Sequence, residues 1–233
     1  MKRKSFDSPG AVLGVAAVAS SVLALKAWQR LWKATREEAS QPLPLDDQVS
    51  QPTYVTNRAI TVAASPERIW PWIAQMGELP RGGFYSYVTI ERLFKMKVTN
   101  AERILPAFQT PEVGAAIDRA GNMIVKAVEP NKVLVLGPPL SPDFDSTWAI
   151  ALLPAQDGGT RLLSRCRARL PRGVKGLLAY LILDPGQFLM ERKMLLEIKR
   201  RAERQPPAEP AQEPLPEPLP AAESAPVEQQ LVS

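Results

Sequence analysis

The chain has 233 residues, with 29 Lys and Arg against 24 Asp and Glu and a single cysteine. This length predicts one domain of average size with extensions. The absence of histidine excludes Ser-His-Asp and Cys-His catalysis and removes the commonest zinc ligand. Cys166 alone can form neither an intramolecular disulfide nor a cysteine-based metal site. We therefore expect no metal and no cofactor. The basic balance suits a membrane surface better than nucleic acid, because no basic run has interleaved aromatics.

Residues 1–36 predict a membrane anchor with a juxtamembrane helix. They enclose an uncharged stretch at 10–25, which as a helix would span about 24 Å against a bilayer core of about 30 Å. Trp28 and Trp32 follow it, where an interfacial aromatic belt would lie. An uncleaved single-pass anchor is favoured over a signal peptide, since residues 22–24 lack the preferred small-x-small cleavage pattern. We expect a cell-membrane location. The face stays open because basic residues flank both sides of the stretch.

Two proline-rich segments bracket the predicted domain at 53–204. Residues 37–52 hold Pro42, Pro44 and Pro52 and predict a linker. Residues 205–233 hold eight prolines and five glutamates without an aromatic residue, which predicts a disordered acidic tail. A protein partner for this tail is an open alternative to a solvated spacer.

The order of elements between these segments predicts an α+β fold. A strand at 57–63 places Ile60 and Val62 on one face, and Ser65 with Pro66 starts a helix to residue 76. A short helix is expected at 89–95. Further strands are predicted at 115–118, 122–129, 132–136, 146–154 and 160–170, followed by a helix at 173–203 that Pro185 breaks or kinks. Turn signals between neighbouring strands favour antiparallel pairing, with the helices on one face of the sheet.

The last helix carries an apolar stripe that includes two methionines. Its members are Met190, Met194, Leu195, Ile198 and Ala202, and the opposite side carries Glu191, Arg192, Lys199 and Arg200. Such a stripe is typical of a core helix, and methionine also suits the wall of an adaptable ligand cavity. Both interpretations can hold for one helix.

The segment 81–87, Arg-Gly-Gly-Phe-Tyr-Ser-Tyr, is the most informative motif of the chain. Its two glycines permit a sharp turn, and the aromatics that follow carry large apolar area with polar tips. The segment is typical of a turn with ordinary core aromatics, and it also suits the wall of a hydrophobic pocket.

Four arginines alternate along the strand predicted at 160–170. Arg161, Arg165, Arg167 and Arg169 share one face, whereas Cys166 lies on the other and is expected to behave as a small inward hydrophobe. The arginine face is interpreted either as a solvated sheet face or as a cationic patch for lipid headgroups.

Six segments in order resemble the START-like helix-grip (SRPBCC) superfamily, which includes polyketide cyclases, dehydrases and lipid-transfer domains. They are residues 65–73, 81–87, 100–106, 145–148, 159–162 and 190–195, and the resemblance covers about 54–204. It implies a curved antiparallel sheet around a long C-terminal helix, with an apolar cavity between them. The ligand-binding residues expected for such a cavity are Trp70, Phe84, Tyr85, Tyr87, Trp148, Met190 and Met194. Ala107 and Ala115-Ala116 stand where acids are common in the family, which disfavours chemistry.

Two functions are compatible with this pattern. The first is a membrane-tethered module that binds a lipid or another small apolar molecule without chemistry, and we favour it. The alternative is a cyclase- or dehydrase-like enzyme for an apolar, carbonyl-bearing substrate. Its acid–base candidates are Tyr85, Glu91, Glu102 and Arg103, with Tyr87 and Asp118 as further members. For each acid, a structural hydrogen-bond or ion-pair role is the favoured interpretation.

Overall fold

The computed structural model of the chain describes residues 9–139, 146–156, 158–171 and 173–204. Five strands form one antiparallel sheet in the order β1-β5-β4-β3-β2. The strands are β1 Tyr54–Val62, β2 Ile124–Glu129, β3 Val133–Gly137, β4 Ser146–Pro154 and β5 Thr160–Ala168. The helices are α1 Pro9–Arg30, α2 Arg36–Ser40, α3 Pro66–Ala74, α4 Val88–Leu93 and α5 Val174–Glu203, with a 3-10 turn at Pro106–Phe108. The sheet is curved and α5 packs against it, so the predicted α+β class is confirmed.

Two details of the predicted elements are wrong. The strand expected at 115–118 is reduced to one isolated bridge between Ala116 and Ile124. Turns at Gly114 and Gly121, both with positive φ, bracket it closely and leave no length for a ladder. Of the break or kink expected at Pro185, the break is absent, since α5 continues through that residue. Pro185 is exposed, so water can satisfy the carbonyl that its missing N–H leaves free.

The inner face of the sheet forms the main core with α3 and α5. Ile60 and Val62 of β1 pack there with Met194 and Ile198 of α5, as the period-two and helical patterns predict. Helix α3 adds Ile69 to the same cluster and begins at Pro66, the position at which proline suits a helix start.

The C-terminal end of α1 and the residues that follow it pack against this domain. Trp32 is buried, and the rings of Trp28 and Trp32 contact Phe188 of α5 edge-on at centroid distances of 5.4 and 6.2 Å. In the described parts of the chain, no helix is both long enough and apolar enough to cross a membrane. The predicted transmembrane helix is thus not found there, and Trp32 belongs to the core rather than to an interfacial belt. The tail at 205–233 lies outside the described residues.

Residues 34–46, here called the outer segment, cover the opposite face of the sheet. Leu43 packs with Ala59 and Leu163 in a second apolar cluster, and Ala34 and Leu45 pack against it. Much of the segment expected to be a linker therefore forms part of the folded unit. Thr35 starts α2 with a capping box closed by Glu38, so the segment has its own local structure.

The β5 arginines attach the outer segment to the sheet. Arg165 is 2% exposed; it pairs with Asp46 and donates to Asn57 Oδ1 at 2.7 Å and to the Glu38 carbonyl at 2.7 Å. Arg161 pairs with Glu38 at 2.6 Å. The predicted interpretations of this face, as solvated or as a lipid-facing cationic patch, are both wrong for these two arginines, because their charges are used inside the protein.

Replacing Arg165 should loosen the outer segment. In Arg165→Met, the buried Asn57 amide and Asp46 lose their partner, so we expect the free energy of unfolding to fall by about 3 kcal/mol. Urea unfolding measures this change. Arg169→Met is the matched control, since Arg169 is exposed on the same face, and it should change stability by less than about 0.5 kcal/mol. Equal effects of both variants would contradict the assignment.

Candidate functional site: a buried charged cluster between the sheet and α5

The residues predicted to bind a ligand lie in or beside the inner core. Trp70, Phe84, Tyr85 and Met194 are buried in it. The other three, Tyr87, Trp148 and Met190, are half-buried. Their role in ligand binding stays a prediction.

The motif at 81–87 is a tightly tied turn. Gly83 has φ 79°, and a Cβ there would lie 2.6 Å from Asn100 Oδ1, so only glycine fits. Tyr85 is buried with φ 56°; its N–H donates to Asn100 Oδ1 and its hydroxyl accepts from Gln75 Nε2 at 2.8 Å. Burial raises the pKa of Tyr85, which keeps the phenol protonated. The hydroxyl holds the turn against α3, which favours a structural role over the proposed acid–base role.

Arg201 connects this turn to α5. Its guanidinium stacks on the Tyr85 ring at 4.9 Å, pairs with Glu197 and reaches Glu102 at 2.5 Å. Burial alone would raise the pKa of Glu197, but hydrogen bonds from Lys193, Arg200 and Arg201 outweigh it and lower that pKa to about 2. This network is the structural ion-pair role expected for such acids.

Two of the acid–base candidates lie at the surface. Glu102 is exposed and pairs with Arg200, Arg201 and Arg204, and Arg103 is exposed as well. Asp118 accepts hydrogen bonds from the backbone N–H groups of Asn122 and Met123, which closes a turn. The structure therefore does not bring Glu102, Arg103 and Asp118 to the interior.

Glu91 is the exception among these candidates. Its side chain is buried in α4, and neither carboxyl oxygen has a hydrogen-bond partner. Burial raises the pKa of this carboxyl above its ordinary value. A buried acid with a raised pKa is a group that can hold a proton near neutral pH.

The raised pKa of Glu91 predicts a pH-dependent stability difference. Because ionisation is harder in the folded than in the unfolded chain, wild type should lose stability relative to Glu91→Gln as pH rises through the folded pKa. At low pH, where the carboxyl is protonated in both states, the two proteins should match. Thermal unfolding from about pH 4 to about pH 8 measures this. Exposed Glu112→Gln is the control, and a pH-independent difference for Glu91→Gln would contradict the prediction.

Arg58 lies in the interior between the sheet and α5, at 0% exposure. Its Nη1 forms an ion pair with Glu191 of α5, and its Nε donates to the Gln29 carbonyl of α1 at 3.0 Å. Its Nη2 lies 3.8 Å from Asp184 Oδ1 and has no hydrogen-bond partner. Desolvation lowers the pKa of Arg58, but an arginine keeps its charge throughout the physiological range.

Further polar groups complete this site. Asp184 accepts from the Tyr54 hydroxyl at 2.7 Å and from Lys26 Nζ at 2.5 Å. Glu191 accepts from the Ser164 hydroxyl, which itself accepts from the indole N–H of Trp148 at 2.8 Å. Burial raises the pKa of Tyr54, so its hydroxyl remains a donor. We call Lys26, Tyr54, Arg58, Ser164, Asp184 and Glu191 the Arg58 cluster.

The hydrogen bonding of this region is incomplete. Besides Arg58 Nη2, the buried atoms Thr56 Oγ1, Gln29 Oε1 and Arg30 Nε have no hydrogen-bond partner, and Arg58 Nη1 and Glu191 Oε2 have only each other as an ion pair. The Phe188 ring lies 5.3 Å from the Arg58 guanidinium, so apolar and polar surfaces meet here. A guanidinium with an unused N–H group beside an aromatic ring can donate to an oxygen acceptor. Within the described ranges, no three acidic or cysteine side chains group closely enough to hold a metal ion.

Sequence reasoning missed most of this cluster, although a signal was present. Arg58 shares the face of Ile60 and Val62 by the period of two, so a charge was visible on a buried strand face. Glu191 was assigned to the polar side of the last helix and is instead buried. Glu191 lies three residues before Met194 and seven before Ile198, so helical spacing places it on the apolar stripe, where it meets Arg58 and Ser164 of the sheet.

Of the known proteins compared with this chain, only solved structures match it. No family model and no curated protein matches the chain. Among the solved structures, MLL2253 from Mesorhizobium loti is 20% identical with a TM-score of 0.36, covering 64% of this chain and 96% of its own. TTHA0849 from Thermus thermophilus is 16% identical with a TM-score of 0.33, covering 64% and 97%. The di-domain ARO/CYC StfQ from the steffimycin biosynthetic pathway is 14% identical with a TM-score of 0.42, covering 78% and 60%. Likenesses this distant decide nothing about activity.

Proposed function

We propose that this domain binds a small, largely apolar ligand between the sheet and α5, without changing it chemically. The observation that carries the proposal is the fully buried Arg58, whose Nη2 has no hydrogen-bond partner and lies 3.8 Å from Asp184 Oδ1 beside the Phe188 ring. The START-like resemblance is part of the same proposal. Trp148 and Met194 are the proposed apolar contacts, and Arg58 is the proposed polar anchor.

The energetics of buried charge support a binding role for Arg58. Desolvating a guanidinium and two carboxylates costs several kcal/mol per ion, and their mutual attraction offsets this only when the remaining hydrogen bonds are complete. Here they are incomplete. A well-packed apolar side chain would serve stability as well at this position, so we assign the charge to recognition.

The chemistry of the cluster defines the ligand class. A guanidinium with a free Nη2 suits a carboxylate, phosphate or carbonyl oxygen, and the adjoining Phe188 ring suits a hydrocarbon chain. Helix α1 supplies Lys26 and the Gln29 carbonyl to the cluster. We therefore propose that movement of α1 opens the site and that the ligand takes over these contacts.

We also propose that the protein works at a cell membrane and that the ligand is a lipid. Helix α1 supports this, since it carries exposed apolar side chains on the part that precedes the domain, including Leu13, Leu23 and Leu25. Exposed apolar side chains are unfavourable in water and favourable at a lipid interface. The membrane is then both the support of α1 and the source of the ligand.

Ligand extraction from paired variants tests the proposed anchor. Arg58→Met/Glu191→Leu replaces the ion pair by apolar side chains, so the fold should persist while the ligand's polar group loses its partner. Organic extraction and mass spectrometry of the full chain should find a stoichiometric amphiphile in wild type and at least tenfold less in this variant.

Arg36→Met is the control for that extraction, because Arg36 is exposed and belongs to the outer segment, on the face of the sheet opposite the cluster. It should retain the wild-type ligand content. Equal ligand content in all three proteins would exclude Arg58 as the anchor, and a wild type that repeatedly yields no small molecule would contradict the proposed function itself.

The cyclase- or dehydrase-like alternative is favoured by one observation, the buried and unpartnered Glu91 carboxyl. An acid of raised pKa could protonate a leaving hydroxyl. Incubating the extracted ligand with wild type and with Glu91→Gln would distinguish the functions. Loss of water from the ligand in wild type alone supports the enzyme, and an unchanged ligand in both supports binding without chemistry.

A further inference from the structure

A second surface of the domain combines exposed apolar side chains with unpaired cations. Leu93 and Phe94 at the end of α4 are 80% and 63% exposed, and Leu79 is 46% exposed. Lys95 follows with φ 63°, a left-handed conformation that ends the helix and turns the chain. Leu79 is tied to the same place, because its N–H donates to the Lys97 carbonyl at 2.8 Å.

A cleft of about 480 Å³ opens beside these side chains. Phe94, Lys95, Lys97 and Arg119 line it, and Arg92 lines a neighbouring cleft with Leu79. None of these four basic residues forms a salt bridge within the described part of the chain.

The two acids at the cleft accept hydrogen bonds from backbone N–H groups. Glu78 accepts from the Arg119 N–H, and Asp118 closes the turn at Asn122 and Met123. Both carboxylates keep their charge, but neither forms a salt bridge with the basic residues, which are more numerous and exposed. We call Leu79, Arg92, Leu93, Phe94, Lys95, Lys97 and Arg119 the α4 patch.

We propose that the α4 patch docks on a bilayer that contains anionic phospholipid. Leu93 and Phe94 enter the acyl boundary, and Lys95, Lys97 and Arg119 meet the phosphate groups. Each basic residue near such a surface strengthens binding by about 1 kcal/mol, or about fivefold. The lipid-facing charge then lies at the end of α4 and not at Arg161 and Arg165 of β5, which form ion pairs with Glu38 and Asp46.

The composition of the patch favours a bilayer over a protein partner. Lysine is depleted at protein–protein interfaces, whereas lysines around a small apolar tip are typical of interfacial membrane binding. Three exposed apolar side chains also form too small a core for a stable protein interface. The bilayer needs no shape complementarity, only apolar insertion and opposite charge.

Vesicle co-sedimentation of the full chain tests the docking. With vesicles of phosphatidylglycerol and phosphatidylcholine, Lys95→Gln/Lys97→Gln should bind about 30-fold more weakly than wild type. Lys132→Gln/Arg36→Gln removes the same charge at exposed positions outside the patch and should bind as wild type does. With phosphatidylcholine alone, the lysine variant and wild type should be equal.

A second pair of variants tests the apolar side chains of the α4 patch. Leu93→Ser/Phe94→Ser should weaken binding at least tenfold on both vesicle types, whereas Val174→Ser, at an exposed apolar residue on α5, should not. Unchanged binding of both patch variants would assign vesicle binding to α1 and overturn the proposal. The proposal would also be overturned if the chain bound no vesicles and instead captured a protein in a way that the patch variants abolish. Neither result depends on whether the interior holds a ligand.

Discussion

The contact between Arg58 and Glu191 joins the middle of β1 to α5 inside the domain, and much of the inner face is arranged around it. Asp184, about two turns earlier on α5, extends the charge toward Tyr54 and Lys26. Because a buried arginine cannot lose its proton, the interior must supply these acids or a ligand that replaces them. The Gln29 carbonyl of α1 accepts a hydrogen bond from Arg58 Nε, so the same buried charge also holds α1 against the domain.

The two faces of the sheet use a buried arginine in different ways. On the outer face, every nitrogen of the Arg165 guanidinium has an acceptor, supplied by Asn57, Asp46 and carbonyls of the outer segment. On the inner face, Arg58 Nη2 has no hydrogen bond, and Nη1 has only its ion pair with Glu191. The complete set is what a structural arginine requires, and the incomplete one is consistent with a ligand as the missing partner. Arg165 is thus an internal reference for interpreting Arg58.

Sequence periodicity was sufficient for the sheet and most helices. Ile60 and Val62 point inward as a period of two requires, and Pro66 starts α3 where its fixed φ fits. What could not be predicted depends on tertiary contacts. The packing of residues 34–46 needs the β5 arginines as partners, and the burial of Glu191 needs Arg58 and Ser164 on the facing strands. The Gly83 turn was recognised, but its tie to Asn100 was not, because that contact spans a loop without periodicity.

The central claim is that the Arg58–Glu191 pair serves recognition rather than stability, and the free energy of unfolding of ligand-free protein tests it most directly. Arg58→Met alone should destabilise the chain by about 3–5 kcal/mol, because Glu191 is left buried without a partner. Arg58→Met/Glu191→Leu should restore the wild-type value or exceed it by about 1–4 kcal/mol. A double variant that remains several kcal/mol less stable than wild type would show that the pair holds the fold together and would contradict the account.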